Sequence, residues 1–172
     1  MLEGNRMKNY IWIREKTIDE PEWVRAEAVN ASLWPRPLVL VTGAFDLLHC
    51  GHMRLLFAAR EKAGKGTVLC AMDSDRRVQE ERGPGRPILN WVERSTTLRY
   101  MPVDYIAEVD STKELGSLIE AVAPDLLIEG NIHNEFPSRF EWLRKAYIRS
   151  SGMHTDEIVQ RCVKAWERSR YK

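Results

Sequence analysis

The sequence predicts an α/β protein built on a doubly wound, mostly parallel sheet. Short apolar runs alternate with stretches of helical periodicity from residue 38 to residue 166, and this alternation is typical of βαβ units. The runs are continuously apolar, as expected of strands that are buried on both faces. Because ligands of such sheets bind at the carboxyl ends of the strands, we expect the functional residues in the loops that follow the strands.

Composition limits the domain count and the class of partner. The chain has 172 residues, of which 44% are hydrophobic, enough for the core of one compact domain. Its 26 basic and 25 acidic residues nearly cancel, so no overall attraction to nucleic acid or to a membrane surface is expected. Any anion-binding site must therefore be local.

Cysteine use and the N-terminal residues indicate a cytoplasmic protein. Three scattered cysteines, Cys50, Cys70 and Cys162, argue against a secreted disulfide framework and for a reducing compartment. The first 20 residues lack the apolar core of a signal peptide. No stretch reaches the roughly 18 apolar residues that a membrane helix needs.

The first 36 residues are predicted to form an N-terminal extension, which the Pro35 and Pro37 pair separates from a main domain at 37–172. A short strand is expected at Tyr10 to Ile13. A helix is expected to start at Asp19-Glu20-Pro21. Its apolar face would carry Trp23, Ala26, Asn30 and Leu33.

The main domain should then alternate strands and helices. Strands are predicted in the LVLV run from Leu38, in the TVLCAM run, and at Tyr105 to Val109, Asp125 to Ile128 and Ala146 to Ile148. Helices are predicted from about Gly51 to Lys62, from Asn90 to Met101, around the stripe of Leu115, Leu118, Ile119 and Val122, from Pro137 to Lys145, and around Ile158, Val159, Cys162, Val163 and Trp166.

The stretch VTGAFDLLHCGHMRLL, from Val41 to Leu56, is the first candidate site. Gly43 follows the first strand of the main domain, where a residue without a Cβ lets the backbone approach a ligand closely. His49 and His52 bracket the first turn of the next helix, so that both imidazoles can face one point beyond its N-terminus. Free amides and the helix dipole also point there. This arrangement suits a phosphate oxyanion.

Two other interpretations of the histidines remain open. A histidine pair near a turn is commonly structural. His49, Cys50 and His52 are also possible zinc ligands, although adjacent residues at a helix start diverge in direction and no second cluster with zinc spacing occurs.

The run from Gly43 to His52, GAFDLLHCGH, resembles the signature of the cytidylyltransferase-like nucleotidyltransferases. This family includes glycerol-3-phosphate cytidylyltransferase and the adenylyltransferase domain of ADP-heptose synthase. The resemblance implies the Rossmann-like sheet of HIGH-type nucleotidyltransferases. It covers about residues 38 to 165.

Four downstream segments extend the resemblance. Asp75 matches an aspartate near the nucleotide phosphates and metal, and Gly130 matches a glycine beside the nucleotide. The segment GPGRPI, at 83–88, looks most like the heptose adenylyltransferase branch. The segment RSSGMHTDEI, at 149–158, resembles the motif that opens the family's last helix.

The resemblance implies transfer of a nucleoside monophosphate from ATP or CTP to a phosphorylated sugar or polyol, with release of pyrophosphate and without a covalent enzyme intermediate. His49 and His52 would contact the phosphates, and His52 would stabilise the pentacoordinate oxygens. Arg82 and Arg86 would close over the triphosphate, Arg149 would grip phosphate, and Arg94 would bind the acceptor or form a surface ion pair. The nucleotide would also contact Gly43, Ala44, Phe45, Asp46, Gly51, Asp75, Gly130 and Thr155. Relatives are commonly homodimers.

Mg²⁺ is implied as the cofactor, with Asp46 and Asp75 as candidate ligands whose alternative role is turn and cap chemistry. The chain also departs from the family pattern. Arg82 stands where relatives carry a lysine, His154 and Asp156 replace two small hydroxyl residues, and Asn131-Ile132 replaces an acidic residue. These departures motivate a second hypothesis, a non-catalytic nucleotide-binding or regulatory module.

Overall fold

The structure is a computed structural model that describes residues 10–13, 22–25, 31–130, 138–148 and 154–170. The strands in these ranges are β1 (Tyr10–Ile13), β2 (Glu22–Arg25), β3 (Leu38–Gly43), β4 (Thr67–Asp73), β5 (Tyr105–Val109), β6 (Leu126–Glu129) and β7 (Lys145–Tyr147). The α-helices are α1 (Cys50–Ala63), α2 (Asp75–Arg82), α3 (Trp91–Leu98), α4 (Thr112–Val122) and α5 (Thr155–Arg170). The predicted α/β class is confirmed.

The strands form one sheet in the order β2-β1-β5-β4-β3-β6-β7. From β5 to β7 all neighbours are parallel, whereas β1 pairs antiparallel with both β5 and β2. The order of the parallel strands reverses at β3, since β4 lies on one side of it and β6 on the other. A crevice at the carboxyl end of β3 is therefore the expected ligand site.

Each face of the sheet has its own hydrophobic core. Val39 and Val41 of β3 face a core formed with α1 and α3, whereas Leu38 and Leu40 face a core formed with α4. All four side chains are fully buried. This explains why the strand reads as a continuous apolar run, because neither face meets solvent.

Side-chain caps fix the starts of the helices. Ser74, Asn90 and Ser111 accept hydrogen bonds from backbone amides in the first turns of α2, α3 and α4, and Asn90 forms a capping box with Glu93. Two of these caps, Ser74 and Ser111, follow strands within two residues. These helices therefore begin at the carboxyl edge of the sheet, beside the crevice.

The helix predicted after Pro21 is wrong, because Glu22–Arg25 is a strand. Its backbone pairs antiparallel with β1, with Trp23 opposite Trp12 in the register. Aromatic and β-branched residues favour such a pairing, and the tertiary partner outweighs the helical spacing. Leu33 ends a short 3₁₀ turn and is exposed, while residues 26–30 lie outside the described ranges. The division of the chain at residue 36 stays a prediction.

The helix predicted from Pro137 to Lys145 is also wrong. Ser138–Phe140 is a 3₁₀ turn, and Lys145 already begins β7. Phe140 and Leu143 are buried against the α4 side of the sheet, so a compact turn satisfies the apolar residues that suggested a helix. The strand predicted at Ala146 to Ile148 is confirmed, shifted by one residue.

Helix α2 was not predicted, because Val78 is its only apolar residue. The helix is marked instead by the Ser74 cap and by charge spacing: Arg77 pairs with Glu81, and Arg76 pairs with Glu80 four residues on. No helix within the described ranges is long and apolar enough to span a membrane.

Gly66 lies where the chain leaves α1 to enter β4, and we expect its replacement by alanine to destabilise the fold. A Cβ on Gly66 would lie 2.2 Å from the backbone oxygen of Pro37. That oxygen already accepts the Thr67 amide at 3.0 Å, so it cannot move away freely. Gly66→Ala should lower the free energy of unfolding by about 2–3 kcal/mol, measured by chemical denaturation. Gly130→Ala is the control, because no heavy atom of the residues that the structure describes lies within 4 Å of that Cβ position; equal stability of the two variants would contradict the prediction.

Candidate active site

A cavity of about 240 Å³ opens at the carboxyl ends of β3, β4 and β6, where the sheet topology predicts a ligand. Many of the site residues predicted from the sequence line it: Gly43, Ala44, Phe45, Asp46, His49, Gly51, His52, Arg82, Arg86, Gly130 and Thr155. Asp75 and Arg94 are not among its lining residues, and Arg149 lies outside the described ranges. The first turn of α1 and the loop before it therefore form one wall of this cavity.

The turn between β3 and α1 holds two non-glycine residues in the left-handed region, Phe45 (φ 52°) and Leu47 (φ 47°). This conformation costs roughly 1–2 kcal/mol per residue and persists only where the surroundings enforce it. Phe45 is 1% exposed, and its ring packs 5.3 Å from that of His52. Burial of Phe45 thus stabilises the turn, and the Phe45 ring packs against the His52 ring.

His49 is the N-cap of α1, and its bonding fixes its tautomer. The Nδ1 atom accepts a hydrogen bond from the Gly51 amide at 3.1 Å, so in the neutral ring the proton is on Nε2. The rings of His49 and His52 are tilted by 31° to each other, and their centroids lie 3.9 Å apart. The helix start therefore presents two adjacent imidazoles at the positive end of the helix dipole.

Both imidazoles are neutral near pH 7. Burial, and after it the charge of the neighbouring His49, lowers the pKa of His52 to about 3. Burial, followed by the charge of His154, also lowers the pKa of His49. Among the residues that the structure describes, Nδ1 of His52 has no hydrogen-bond partner. A polyanion bound in the cavity would raise the pKa of both imidazoles, because a nearby negative charge favours the protonated ring.

The low pKa of His52 predicts a loss of stability in acid. The unfolded chain takes up a proton at His52 below its ordinary pKa of about 6.5, whereas the folded chain resists it down to about pH 3. The stabilisation by neutral His52 is therefore present above pH 6.5 and is lost as the pH falls towards 3. At pH 5, wild type should lose about 2 kcal/mol relative to pH 7 that His52→Gln does not lose.

Denaturation curves of both proteins from pH 7 to pH 4 measure this difference. Burial raises the pKa of Asp73 to about 6, and this carboxyl stabilises the fold in the opposite direction as the pH falls. Because both proteins contain Asp73, its contribution cancels in the comparison. Parallel pH curves would show that His52 is protonated as readily in the folded chain as in the unfolded chain.

Asp46 connects the loop that follows α2 to the turn between β3 and α1. Its carboxylate accepts the amides of Ile88 (2.9 Å) and Leu89 (3.0 Å) and Nη1 of Arg86 (2.9 Å). The residue is 4% exposed, and both of its oxygens are occupied by these bonds. Asp46 therefore acts as a structural anchor of residues 86–89.

The residues present do not form a ready metal site. The two carboxylates predicted as magnesium ligands already accept hydrogen bonds. Asp46 accepts the bonds from the loop described above, and Asp75 accepts Nη2 of Arg94 at 2.7 Å. Within the described ranges, no group of three His, Cys, Asp or Glu side chains could hold a metal ion. The zinc alternative is not supported either. Cys50 is exposed, and Nδ1 of His49 already accepts a hydrogen bond from the Gly51 amide.

Arg86 joins the loop to the start of α5 by bridging Asp46 and Asp156. The negative charge of Asp156 thus lies against a guanidinium instead of facing the cavity alone. Thr155 adds a second link, since its hydroxyl donates to the backbone oxygen of Asp46 at 2.8 Å. The turn between β3 and α1, the loop and the start of α5 therefore converge on Asp46.

Arg94 occupies neither of the positions expected from the sequence. Its side chain is fully buried, and its guanidinium donates to the backbone oxygens of Ala44 and Leu89 (3.1 Å) and to Asp75. It is thus neither a surface ion pair nor part of the cavity wall. Arg94 lies under the turn and ties it to the loop and to α2.

Sequence reasoning missed an acidic side of the cavity. Asp73, Arg77 and Glu81 line it from the end of β4 and from α2, and Nε of Arg77 lies 3.2 Å from Asp73 and 3.0 Å from Glu81. Buried Glu129 lines it from the end of β6. Asp73, Arg77 and Glu81 are spaced four residues apart, beginning at the last residue of a strand, and this pattern in the sequence could have identified them. Glu129 could have been identified because it directly precedes Gly130.

Comparison with known proteins gives a consistent result. The model of the cytidylyltransferase-like family matches residues 40–161. Among curated proteins, the bifunctional protein HldE of Desulfatibacillum aliphaticivorans is 43% identical over 96 residues, 55% of this chain and 19% of that protein. HldE of Koribacter versatilis is 40% identical over 94 residues, 54% of this chain and 19% of that protein. HldE of Alcanivorax borkumensis is 32% identical over 132 residues, 72% of this chain and 27% of that protein.

The chain thus spans about a fifth of the length of the first two relatives. A crystal structure of the lipopolysaccharide core biosynthesis protein from Thermoplasma volcanium has the same fold, with a TM-score of 0.51 at 19% identity. It covers 68% of this chain and 98% of that one. The matched family segment contains α1, β4, α2 and β6 in full, whereas β3 begins before it and α5 continues past it.

Proposed function

This chain belongs to the cytidylyltransferase-like family, and on that premise we propose that it is a nucleotidyltransferase acting on a phosphorylated sugar or polyol. An oxygen of the acceptor phosphate attacks the α-phosphorus of ATP or CTP and forms a new P–O bond. The bond between the α-phosphorus and the bridging oxygen to the β-phosphorus breaks, and pyrophosphate leaves with the electron pair. Such a transfer depends on alignment and on stabilisation of the charge on the phosphates.

One observation carries the proposal: the paired imidazoles of His49 and His52 flank the N-terminus of α1 at a cavity wall. In this arrangement ring N–H groups, backbone amides and the helix dipole favour the same anion. The rings are neutral in the free protein, so they gain protons most readily when phosphate charge arrives. His52 is the proposed donor to the pentacoordinate oxygens and His49 its partner.

The remaining roles follow from the residues that line the cavity. Arg82 and Arg86 lie in the wall beside the loop, from which they would neutralise the β- and γ-phosphates of the nucleotide. Thr155 and Gly130 line the cavity and would contact the nucleotide. Arg149, outside the described residues, is proposed as a further phosphate ligand on the resemblance alone.

Mg²⁺ is proposed to enter with the nucleotide, because this ion is commonly held by substrate phosphates and few protein carboxylates. Asp46 and Asp75 are its candidate ligands, and they would bind the ion beside the hydrogen bonds that they already accept. The roles above therefore rest on the side chains of the chain itself.

The choice between ATP and CTP rests on sequence similarity. The GPGRPI segment and the similarity to HldE proteins favour ATP, whereas the RSSGMHT segment favours CTP. A reducing, cytoplasmic location is proposed because Cys50, Cys70 and Cys162 form no disulfide with one another.

A non-catalytic nucleotide-binding module is the second candidate. The observation that favours it is the pairing of Arg86 with two carboxylates, which leaves this guanidinium less able to neutralise a triphosphate. Such a protein would bind nucleotide without releasing pyrophosphate.

A substrate panel tests both candidates. ATP, CTP, GTP and UTP are crossed with sugar 1-phosphates, glycerol 3-phosphate and phosphocholine in the presence of Mg²⁺, and pyrophosphate release is measured. We expect turnover with one matched pair, led by ATP with a sugar phosphate. Nucleotide binding by calorimetry without pyrophosphate release from any pair would support the second candidate and contradict the first.

A further inference from the structure

The cavity has an acidic wall on the face of the sheet opposite α1. Asp73 ends β4, two residues after Ala71. Glu129 ends β6, two residues after Leu127. Ala71 and Leu127 both belong to the core formed with α4, and side chains alternate along a strand, so the two carboxylates extend from that same face. The paired histidines begin α1, which packs on the other face, so the cavity has a histidine side and a carboxylate side.

Arg77 of α2 lies in this acidic wall with part of its guanidinium unsatisfied. Its Nε lies 3.2 Å from Asp73 and 3.0 Å from Glu81, so both salt bridges use one nitrogen. Among the residues that the structure describes, the buried Nη1 of Arg77 has no hydrogen-bond partner. A buried donor without an acceptor is costly, and such groups are ordinarily satisfied by water or by a ligand. Because Arg77 lines the cavity, a ligand oxygen bound there would supply the acceptor.

The charges of the acidic wall select the chemistry of that ligand. Asp73 and Glu81 together outweigh the charge of Arg77, and buried Glu129 adds a further carboxylate. A ligand carboxylate would meet this excess of negative charge. An ammonium group would suit the carboxylates but cannot accept a hydrogen bond from Nη1 of Arg77. A hydroxyl group can accept from Nη1 and donate to a carboxylate at the same time, so it satisfies both.

Asp73 is the carboxylate best prepared to receive that hydroxyl. Its side chain is 12% exposed and lies beside Nε of Arg77, next to the unsatisfied nitrogen. Burial raises the pKa of Asp73 to about 6, because the carboxylate has lost much of its hydration. A poorly hydrated carboxylate that is still ionised at pH 7 gains more from a hydroxyl donor than an exposed one does.

We propose that Arg77 and Asp73 form a hydroxyl-binding subsite, in which Nη1 of Arg77 donates to a ligand hydroxyl and that hydroxyl donates to the carboxylate of Asp73. The inference rests on the proposed function, since it takes the phosphates of the same ligand to lie at the histidines. The hydroxyl belongs to a sugar ring or polyol chain, either of the acceptor or of the nucleotide ribose. The two residues then determine specificity, because a ligand without the hydroxyl leaves the guanidinium unsatisfied.

Deoxy ligands test the subsite without any turnover. Calorimetry compares ATP with 2′-deoxy-ATP and 3′-deoxy-ATP, and glucose 1-phosphate with its 2-, 3- and 4-deoxy forms, one ligand at a time. In the wild type at least one deoxy ligand should bind about 10- to 100-fold more weakly than its parent, as expected for a hydroxyl that bonds to charged groups. Discrimination among the ATP ligands assigns the subsite to the ribose. Discrimination among the glucose 1-phosphate ligands assigns it to the acceptor.

Substitutions test whether the discrimination depends on Arg77. Arg77→Met should bring the parent ligand close to the affinity of its deoxy form, because Nη1 no longer donates. Arg77→Lys should do the same and keeps the positive charge if the methionine variant does not fold, since an ammonium that pairs with the carboxylates cannot also donate where Nη1 does. Arg76→Met is the matched control, because Arg76 pairs with Glu80 and Asp110 and is not among the lining residues of the cavity. It should discriminate as wild type does.

The outcomes separate this inference from the proposed function. Equal binding of parent and deoxy ligands by the wild type, or discrimination that persists in folded Arg77→Lys, would overturn the subsite and leave pyrophosphate release in the substrate panel untouched. Loss of discrimination in Arg76→Met would also overturn it, because the effect would then belong to α2 as a whole. Discrimination without pyrophosphate release from any pair would support the subsite and remove the nucleotidyltransferase.

Discussion

Replacing His52 by alanine should lower turnover by about 10²–10³-fold while leaving the chain folded. The ring packs against that of His49 at a centroid distance of 3.9 Å, at the start of α1, where phosphate charge would develop. A donor aimed at the transition state affects kcat more than KM, because the ground state gains less from it. Pyrophosphate release under saturating nucleotide, with the matched pair from the substrate panel, is the measurement.

Two variants separate loss of the donor from loss of packing. His52→Gln keeps an N–H donor of similar reach and should recover part of the lost turnover. Met53→Ala changes the next residue of α1, which is 42% exposed and outside the cavity wall, and it should retain wild-type kcat. An unchanged kcat in folded His52→Ala would remove this ring from the proposed chemistry.

The core of the site was predictable because its geometry is local. One strand, one tight turn and one helix start, all between Leu38 and His52, fix where His49 and His52 lie. The buried strands were predictable for the same reason, because a continuous apolar run indicates a strand that is buried on both faces. Such features depend on neighbours in sequence, so a single chain reveals them.

The features that were missed depend on partners far along the chain. The partner of Asp46 is a loop about 40 residues away, and no sequence pattern identifies that contact. Strand β2 forms because β1 offers it hydrogen bonds, against its own helical spacing. Likewise, helical periodicity placed Arg94 on α3 correctly but could not show that its charged end lies under the turn between β3 and α1.

Arg94→Met should lower both stability and turnover. The arginine is fully buried and donates to the backbone oxygens of Ala44 and Leu89 and to Asp75. Methionine preserves much of the apolar stem but leaves these acceptors without their donor. Breaking a buried charged network of this kind costs about 3–5 kcal/mol. The turn that holds the histidines would lose its support, so kcat should fall in the fraction that remains folded.

Substitutions around Arg94 determine which of its contacts matters. Asp75→Asn retains an acceptor for Nη2 and should cost little turnover, because Asp75 lies outside the cavity wall. Arg94→Lys keeps the charge but cannot span three acceptors with one ammonium, so its kcat should lie between those of Arg94→Met and wild type. If Arg94→Met instead kept kcat and raised only the KM for the phosphorylated acceptor, Arg94 would be the acceptor ligand that the resemblance implies. Because buried Arg94 contacts the turn from beneath, we expect the loss in kcat.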